Sequence, residues 1–202
     1  LPPNNFLIEG IFKITKEDIH IAKKLGFTVK HISSADIRDG KILMRSNPAL
    51  VKKTDYLSSL KNVRNALVID TDLVGKIHIS GKGAGGEATA AGVISDIVHL
   101  ASDFKSFNVQ SREDLDYRDL THEVFSYLVT IHSSNENINY DIQKMLEEHN
   151  ISITNSGLIN NVKQSYITYY YEIDEITSAA LEGFSKDLVN ITDDFKMLRI
   201  EK

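Results

Sequence analysis

Four of the chain's eleven glycines crowd into one six-residue stretch, Gly81-Lys82-Gly83-Ala84-Gly85-Gly86, and that stretch admits few folds around it. Glycine reaches backbone conformations closed to other residues and leaves no Cβ in the way of a neighbour. The stretch follows the strand-like run Lys76-Ile77-His78-Ile79-Ser80. It precedes residues 87–104, where Ala88, Ala91, Val93, Ile94, Ile97, Val98 and Ala101 recur at helical spacing. A glycine loop between strand and helix satisfies the G-x-G-x-x-G pattern of dinucleotide-binding folds. Such a fold needs another apolar strand ending in an acid after the helix. Residues 105–118 are instead polar, with Arg112, Glu113, Asp114, Asp116 and Arg118 and no clear period. The loop therefore does not mark a complete doubly wound nucleotide fold, and its short side chains suit close packing against a partner surface.

Upstream of the loop, Thr15 stands at a helix N-cap position ahead of Glu17 and Asp18, acids suited to the positive end of a helix dipole. Ile19, Ala22 and Leu25 repeat at helical spacing and Gly26 occupies a C-terminal cap position, so a helix is predicted over residues 16–25. Strand-length runs follow at 27–32, 41–46, 66–70 and 76–80. Asp39-Gly40 makes a turn between the first two, and Thr71-Asp72 with Gly75 makes one before the last. One sheet of at least four strands is expected.

A second unit begins near Glu123. It reads as strand 125–131, helix 139–149 with Ile142, Met145 and Leu146 inward, strands 151–159 and 166–173, helix 175–188 with Ile176, Ala179, Ala180 and Leu188 on one side, and strand 195–200. The order βαββαβ is ferredoxin-like. Alternation along Tyr169-Tyr170-Tyr171 would turn two tyrosines outward toward an interface, although tyrosine is also simply a good strand former. The expected fold class is α+β, a mixed sheet with helices followed by the ferredoxin-like unit. The expected domains are 1–104 and 122–202, joined by a linker at 105–121.

Composition removes several functions. The 23 lysines and arginines are dispersed among 28 acids, giving a net charge of -5, so no nucleic-acid footprint is expected. Without cysteine there is neither a disulfide nor a thiolate metal site, which suits a reducing compartment and makes the cytoplasm the default. No apolar run approaches the roughly 20 residues that span a bilayer, and the first residues do not form a signal peptide. Leu1-Pro2-Pro3-Asn4-Asn5 reads as a loop with no initiator methionine, as in a fragment or a trimmed chain. The seven histidines, His20, His31, His78, His99, His122, His132 and His149, lack metal-ligand spacing, and no metal site is expected. Neither a nucleophile elbow nor a P-loop is present. Asp18, Asp36 and Glu9 are explained by helix capping and solvated loops, Glu113-Asp114 and Asp193-Asp194 by linker and turn, and Lys30 by a charged strand end. No catalytic residue is assigned.

The loop and the helix after it resemble the glycine-rich segment of homoserine dehydrogenases, where G-x-G-A-G-G leads into T-A-x-x-V-x-x-D; Thr89, Ala90, Val93 and Asp96 fill those positions. Gly10-Ile11, Ile14-Thr15, Asp18-Ile19, Ala22, Leu25-Gly26 and Lys30 are similar to a second stretch of that family, and Pro48, Leu57 and Asn65-Ala66 to further positions. The resemblance runs over residues 9–100. It implies an enzyme that reduces aspartate semialdehyde to homoserine with NADH or NADPH, on the way to threonine and methionine. It also implies a Rossmann domain and a substrate-domain lysine, both expected before Leu1, so that this chain is inactive alone. The helix bearing Ala88, Ala90, Ala91 and Gly92 would pack on the nucleotide domain. Gly85 is the implied contact for NADP or NAD, with Gly83 and Ala84 beside it.

The terminal βαββαβ unit resembles the ACT domains appended to many such enzymes. Those domains bind amino acids through a D-x-P-G-V-L loop, in whose place stands Ser134-Asn135-Glu136-Asn137-Ile138-Asn139, where only Ile138 keeps its character. Ser134, Asn135, Asn137 and Ile138 form the candidate effector loop, with Asn137 able to take a left-handed turn and threonine as the implied effector. The alternative is a non-catalytic amino-acid-binding or dimerisation module, a homo-oligomer (dimer or tetramer) being expected through strands paired across a two-fold axis.

Overall fold

Helix α1 (Lys16–Lys24) begins where its sequence says it should. In the computed structural model, which describes residues 6–102, 115–135, 137–160, 166–192 and 194–201, Thr15 Oγ1 accepts the Asp18 amide at 3.2 Å and the Asp18 carboxylate accepts the Thr15 amide at 2.7 Å. This capping box satisfies two of the amides that every helix start leaves without a partner. Lys196 Nζ donates to the same carboxylate, pairing a charge that is buried. Gly26 follows the helix at φ +86°, in the left-handed region that ends helices. Thr15→Ala is expected to cost about 1 kcal/mol in chemical denaturation, and Thr15→Ser to keep most of that stability.

Strands β2 (Phe27–Arg38) and β3 (Lys41–Lys52) form a hairpin whose two turn residues, Asp39 and Gly40, have φ of 52° and 69°. Two successive positive φ values give the turn that matches strand twist. Along its other edge β3 takes three parallel partners in succession: β6 (Asp116–Tyr117), β1 (Phe6–Ile8) and β10 (Phe195–Glu201). From β10 the sheet continues antiparallel through β7 (Val124–Ser133) and β9 (Ile167–Thr177) to β8 (Ile153–Asn160). With α3 (Ile138–Glu148) and α4 (Ser178–Leu188), the expected βαββαβ order is present, its strands lying side by side as fourth, first, third, second.

Each face of this sheet has its own cover. Val129 and Ile131 of β7, with Tyr171 and Ile173 of β9, pack under Ile142 and Leu146 of α3 and Phe184 and Leu188 of α4. On the other face Leu128 and Ile200 meet Leu50, Phe27 and Ala22, which come from β3, β2 and α1. A sheet needs apolar cover on both faces to be buried, and here residues from the first quarter of the chain supply the second layer. The chain accordingly groups into one unit of Leu1–Lys52 with Leu115–Lys202 and another of Lys53–Asp114. That grouping differs from the expected division into 1–104 and 122–202. The four strands expected in one sheet fall into two: β2 and β3 join the terminal sheet, while β4 (Arg64–Thr71) and β5 (Gly75–Lys82) pair only with each other among the described residues.

The tyrosine run is also corrected. Tyr169 and Tyr171 point into the helix-covered core, and Tyr170 is half-buried against the other face, so two tyrosines are not turned outward. Burial, with Tyr169 close by, pushes the Tyr171 hydroxyl up to about 12, and it stays protonated as a donor to Asn139 Oδ1 at 2.5 Å. Glu113-Asp114, Asp193, Glu136 and positions 103–114 of the expected linker lie outside the described residues.

Candidate glycine-loop and effector sites

In the second unit the β4–β5 hairpin closes at Gly75, φ +71°, where Thr71 Oγ1 donates to the Gly75 carbonyl at 2.8 Å. The glycine loop leaves β5 and opens α2 (Gly86–Ala101). Its two central glycines do different work. The Gly83 amide donates to the Val63 carbonyl at 2.7 Å, and a Cβ on Gly83 would stand 1.8 Å from Asn65 Nδ2 and 2.6 Å from its Cγ. Gly83 is therefore a packing position, pressed onto the side chain at the start of β4. Gly85 has φ 106° and ψ 152°, a region that is essentially glycine's alone, yet nothing lies within 4 Å of where its Cβ would be. The Gly85 carbonyl accepts from the Thr89 amide and hydroxyl at 3.0 and 3.1 Å, anchoring the first turn of α2. Ala84 sits between them, exposed.

Among the described residues β5 has only the antiparallel partner β4, whereas a dinucleotide loop lies in a parallel βαβ unit. Helix α2 buries none of its residues; Val93, Ile94, Ile97 and Val98 are each more than half exposed, as are Leu67 and Ile79 on the hairpin.

The candidate effector loop is occupied with its own hydrogen bonds. Asn135 Oδ1 accepts the Asn137 amide at 3.0 Å, the Asn135 amide donates to Ser133 Oγ at 3.0 Å, and the Asn135 carbonyl accepts the Ile138 amide at 3.3 Å. Asn137 is right-handed, φ −82° and ψ −13°, not left-handed as expected, because the turn made by the Asn135 side chain leads directly into α3. Ile138 is buried in the core under α3 and α4, while Ser134, Asn135 and Asn137 are exposed.

Sequence reading passed over a charged cavity in the first unit. Asp36 lies on β2 rather than in a loop and pairs with Arg38 at 3.0 Å and Arg118 at 2.7 Å; Arg118 also donates to Glu123 at 2.5 Å. Arg45 donates to Glu201 at 2.5 Å. Arg118 and Asp36 lie 82 residues apart and Arg45 and Glu201 lie 156 apart, so no local motif announces those two pairs. The described residues hold no group of three or more His, Asp or Glu side chains placed for a metal ion. Among them no helix is long and apolar enough to cross a membrane.

The family model for homoserine dehydrogenase matches residues 1–98, which include the glycine loop and most of α2. The Helicobacter pylori homoserine dehydrogenase is 28% identical over 201 residues, covering 96% of this chain and 48% of its own length. The Bacillus subtilis homoserine dehydrogenase is 36% identical over 98 residues, 48% of this chain and 23% of its own. Among solved structures, a homoserine dehydrogenase from Thiobacillus denitrificans matches with a TM-score of 0.79 at 20% identity, over 98% of this chain and 48% of its own. The S. aureus homoserine dehydrogenase gives 0.66 at 24%, over the same shares. The α+β fold, a mixed sheet with helices, is thus the fold of homoserine dehydrogenase structures. The chain spans about half the length of the first of these relatives.

Proposed function

We propose that this chain serves a homoserine dehydrogenase, an oxidoreductase that interconverts L-homoserine and L-aspartate 4-semialdehyde with NAD or NADP, in the cytoplasm, on the route to threonine and methionine. The supporting observation is Gly85, inside the family-matched region: its backbone holds a conformation other residues avoid, and the space beside it is free. A cofactor can approach such a backbone to hydrogen-bond distance where a Cβ would hold it off. Gly85, flanked by Gly83 and Ala84, would hold the nicotinamide cofactor, which supplies the hydride when bound. The exposed aliphatic residues of α2 suit cover by a nucleotide-carrying domain, since apolar patches of this kind mark contact surfaces.

In this reading hydride transfer needs a nucleotide-binding domain and a catalytic lysine that these 202 residues do not provide. An assay of the chain with L-homoserine and NAD or NADP is therefore expected to show no nucleotide reduction above the buffer rate. Turnover at the rate of an intact homoserine dehydrogenase would contradict the dependence on further residues.

The ferredoxin-like part is read as an ACT-like regulatory and dimerisation element, with a small amino acid such as threonine as effector. Strand β8 favours the oligomeric role. Among the described residues it pairs only with β9, and its sequence, Ile153 to Asn160, contains no charge and no proline. Edge strands are ordinarily protected by such residues, so an unprotected edge suits pairing with a second copy in a dimer or tetramer.

A further inference from the structure

We propose that residues 115–123 form a releasable strap, with Arg118 as the lock that fastens the chain returning from residues 53–114 to the start of β3. Strand β3 meets that segment at both of its ends. The chain leaves at Lys52, the last residue of β3, and comes back as β6, whose Asp116 and Tyr117 pair with Lys41 and Ile42 at the first two positions of the same strand. At about 3.3 Å per residue the strand is roughly 36 Å long. A fastened strap therefore keeps Lys52 and Asp116 about that far apart, and the glycine loop lies in the chain between these two points of attachment.

The backbone alone holds the strap weakly. Among the described residues β6 pairs at only two positions, followed by the Arg118 amide donating to the Ile42 carbonyl at 2.9 Å. The Phe6 and Tyr117 rings add a contact at 5.7 Å. Ordering each residue of a chain costs conformational entropy that so few bonds barely offset. Arg118 supplies the rest. Its planar fork reaches two carboxylates at once: Nη1 donates to Asp36 on β2 at 2.7 Å and Nη2 to Glu123 at 2.5 Å, with the side chain 14% exposed. Such charge-assisted bonds are about twice as strong as neutral ones. Beyond the lock the chain is held independently. The Ser178 amide at the start of α4 donates to the Glu123 carbonyl at 3.1 Å, and Asp119 caps the short 3₁₀ turn Leu120–His122. Loss of the Arg118 grip thus frees residues 115–118 and leaves Glu123 and β7 in place. Asp36 keeps Arg38 at 3.0 Å on release, so Glu123 is the acid that loses its arginine.

The chain contains no cysteine, so Lys52→Cys with Asp116→Cys, both exposed positions, carries a single pair of spin labels whose separation pulsed electron resonance reads. The labelled 202-residue chain is expected to give one narrow distance distribution. Arg118→Ala, and Arg118→Met combined with Glu123→Gln, which leaves no carboxylate stranded, are each expected to make it about twice as wide and to speed hydrogen exchange at the position 118 amide about tenfold or more. The melting temperature is expected to stay within a few degrees, and exchange in β7 and β9 at parental rates. Arg118→Lys, which keeps the charge and loses the fork, is expected to fall between. A width unchanged in both variants shows that the backbone suffices and overturns the lock. A broad distribution in the parent overturns it as well. So does loss of β7 and β9 protection in both variants, which makes Arg118 a part of the core and not a fastener.

Discussion

Leu50→Ala is expected to remove roughly 2–5 kcal/mol of folding stability, the range for burying a cavity where a leucine was, and to strip amide protection from β7 and β9 along with it. Leu50 is fully buried on β3 and packs with Leu128 of β7, Ile200 of β10, and Ala22 and Phe27 of the first elements. Domains of ordinary stability hold about 5–15 kcal/mol in total, so the loss takes a large part of the first unit's reserve. If residues 6–52 and 115–201 unfold together, as their shared sheet and second core imply, hydrogen exchange at Leu128 and Val129 accelerates by the same free energy that the denaturant midpoint reports. The competing arrangement is a self-sufficient terminal domain over 122–202. In that case Leu50→Ala would leave exchange in β7 and β9 at parental rates, and the single-unit interpretation would fall. Phe184→Ala, which empties the core under the helices, provides the internal control, since both arrangements predict accelerated exchange there.

What the sequence makes legible is local. The Thr15 N-cap, the helix-ending Gly26, the Asp39-Gly40 turn and the inward set Ile142, Met145 and Leu146 each follow from contacts within a few residues, and each stands in the structure. What it hides is pairing at long range. Nothing in residues 41–52 states that β3 will take β10 as a parallel neighbour, because an apolar strand is compatible with many partners and only the assembled sheet selects one. The same ignorance turned the tyrosines the wrong way: period two says that Tyr169 and Tyr171 share a face, not which face the helices cover. Arg199 is the extreme case. Its guanidinium is buried, lies 3.8 Å over the Phe125 ring and donates to the Tyr127 hydroxyl at 3.2 Å, with its Nε unpartnered among the described residues. A lone arginine in a terminal strand carries no local sign of such an environment. At the candidate site the glycine loop was legible as a loop and the resemblance put Gly85 ahead of Gly83, but the packing role of Gly83 was not legible, since nothing in the sequence places Asn65 beside it.

The difference between Gly83 and Gly85 gives the second large expectation. Gly83→Ala and Gly85→Ala are each expected to destabilise the Lys53–Asp114 unit by about 1–3 kcal/mol, one through overpacking and the other through backbone strain, and Asn65→Ala separates the causes. Removing the Asn65 amide takes away the atoms at 1.8 and 2.6 Å and leaves only the Asn65 Cβ, 3.4 Å from the new methyl group. Most of the cost of Gly83→Ala should therefore vanish in the Asn65→Ala background, a coupling of about 1 kcal/mol or more in a double-mutant cycle. Gly85→Ala should show no coupling above about 0.5 kcal/mol, because its cost lies in φ 106° and not in any neighbour. Hydrogen exchange in β4, β5 and the first turn of α2 reads both cycles within the unit. Equal rescue of both variants by Asn65→Ala would show that Gly85 is also a packing residue, and its role as the open approach for a cofactor would lose its physical basis. In an intact homoserine dehydrogenase carrying this loop, the same logic separates function from fold. Gly85→Ala should raise KM for the nucleotide whatever stands at position 65, whereas Gly83→Ala paired with Asn65→Ala should return it toward the parental value.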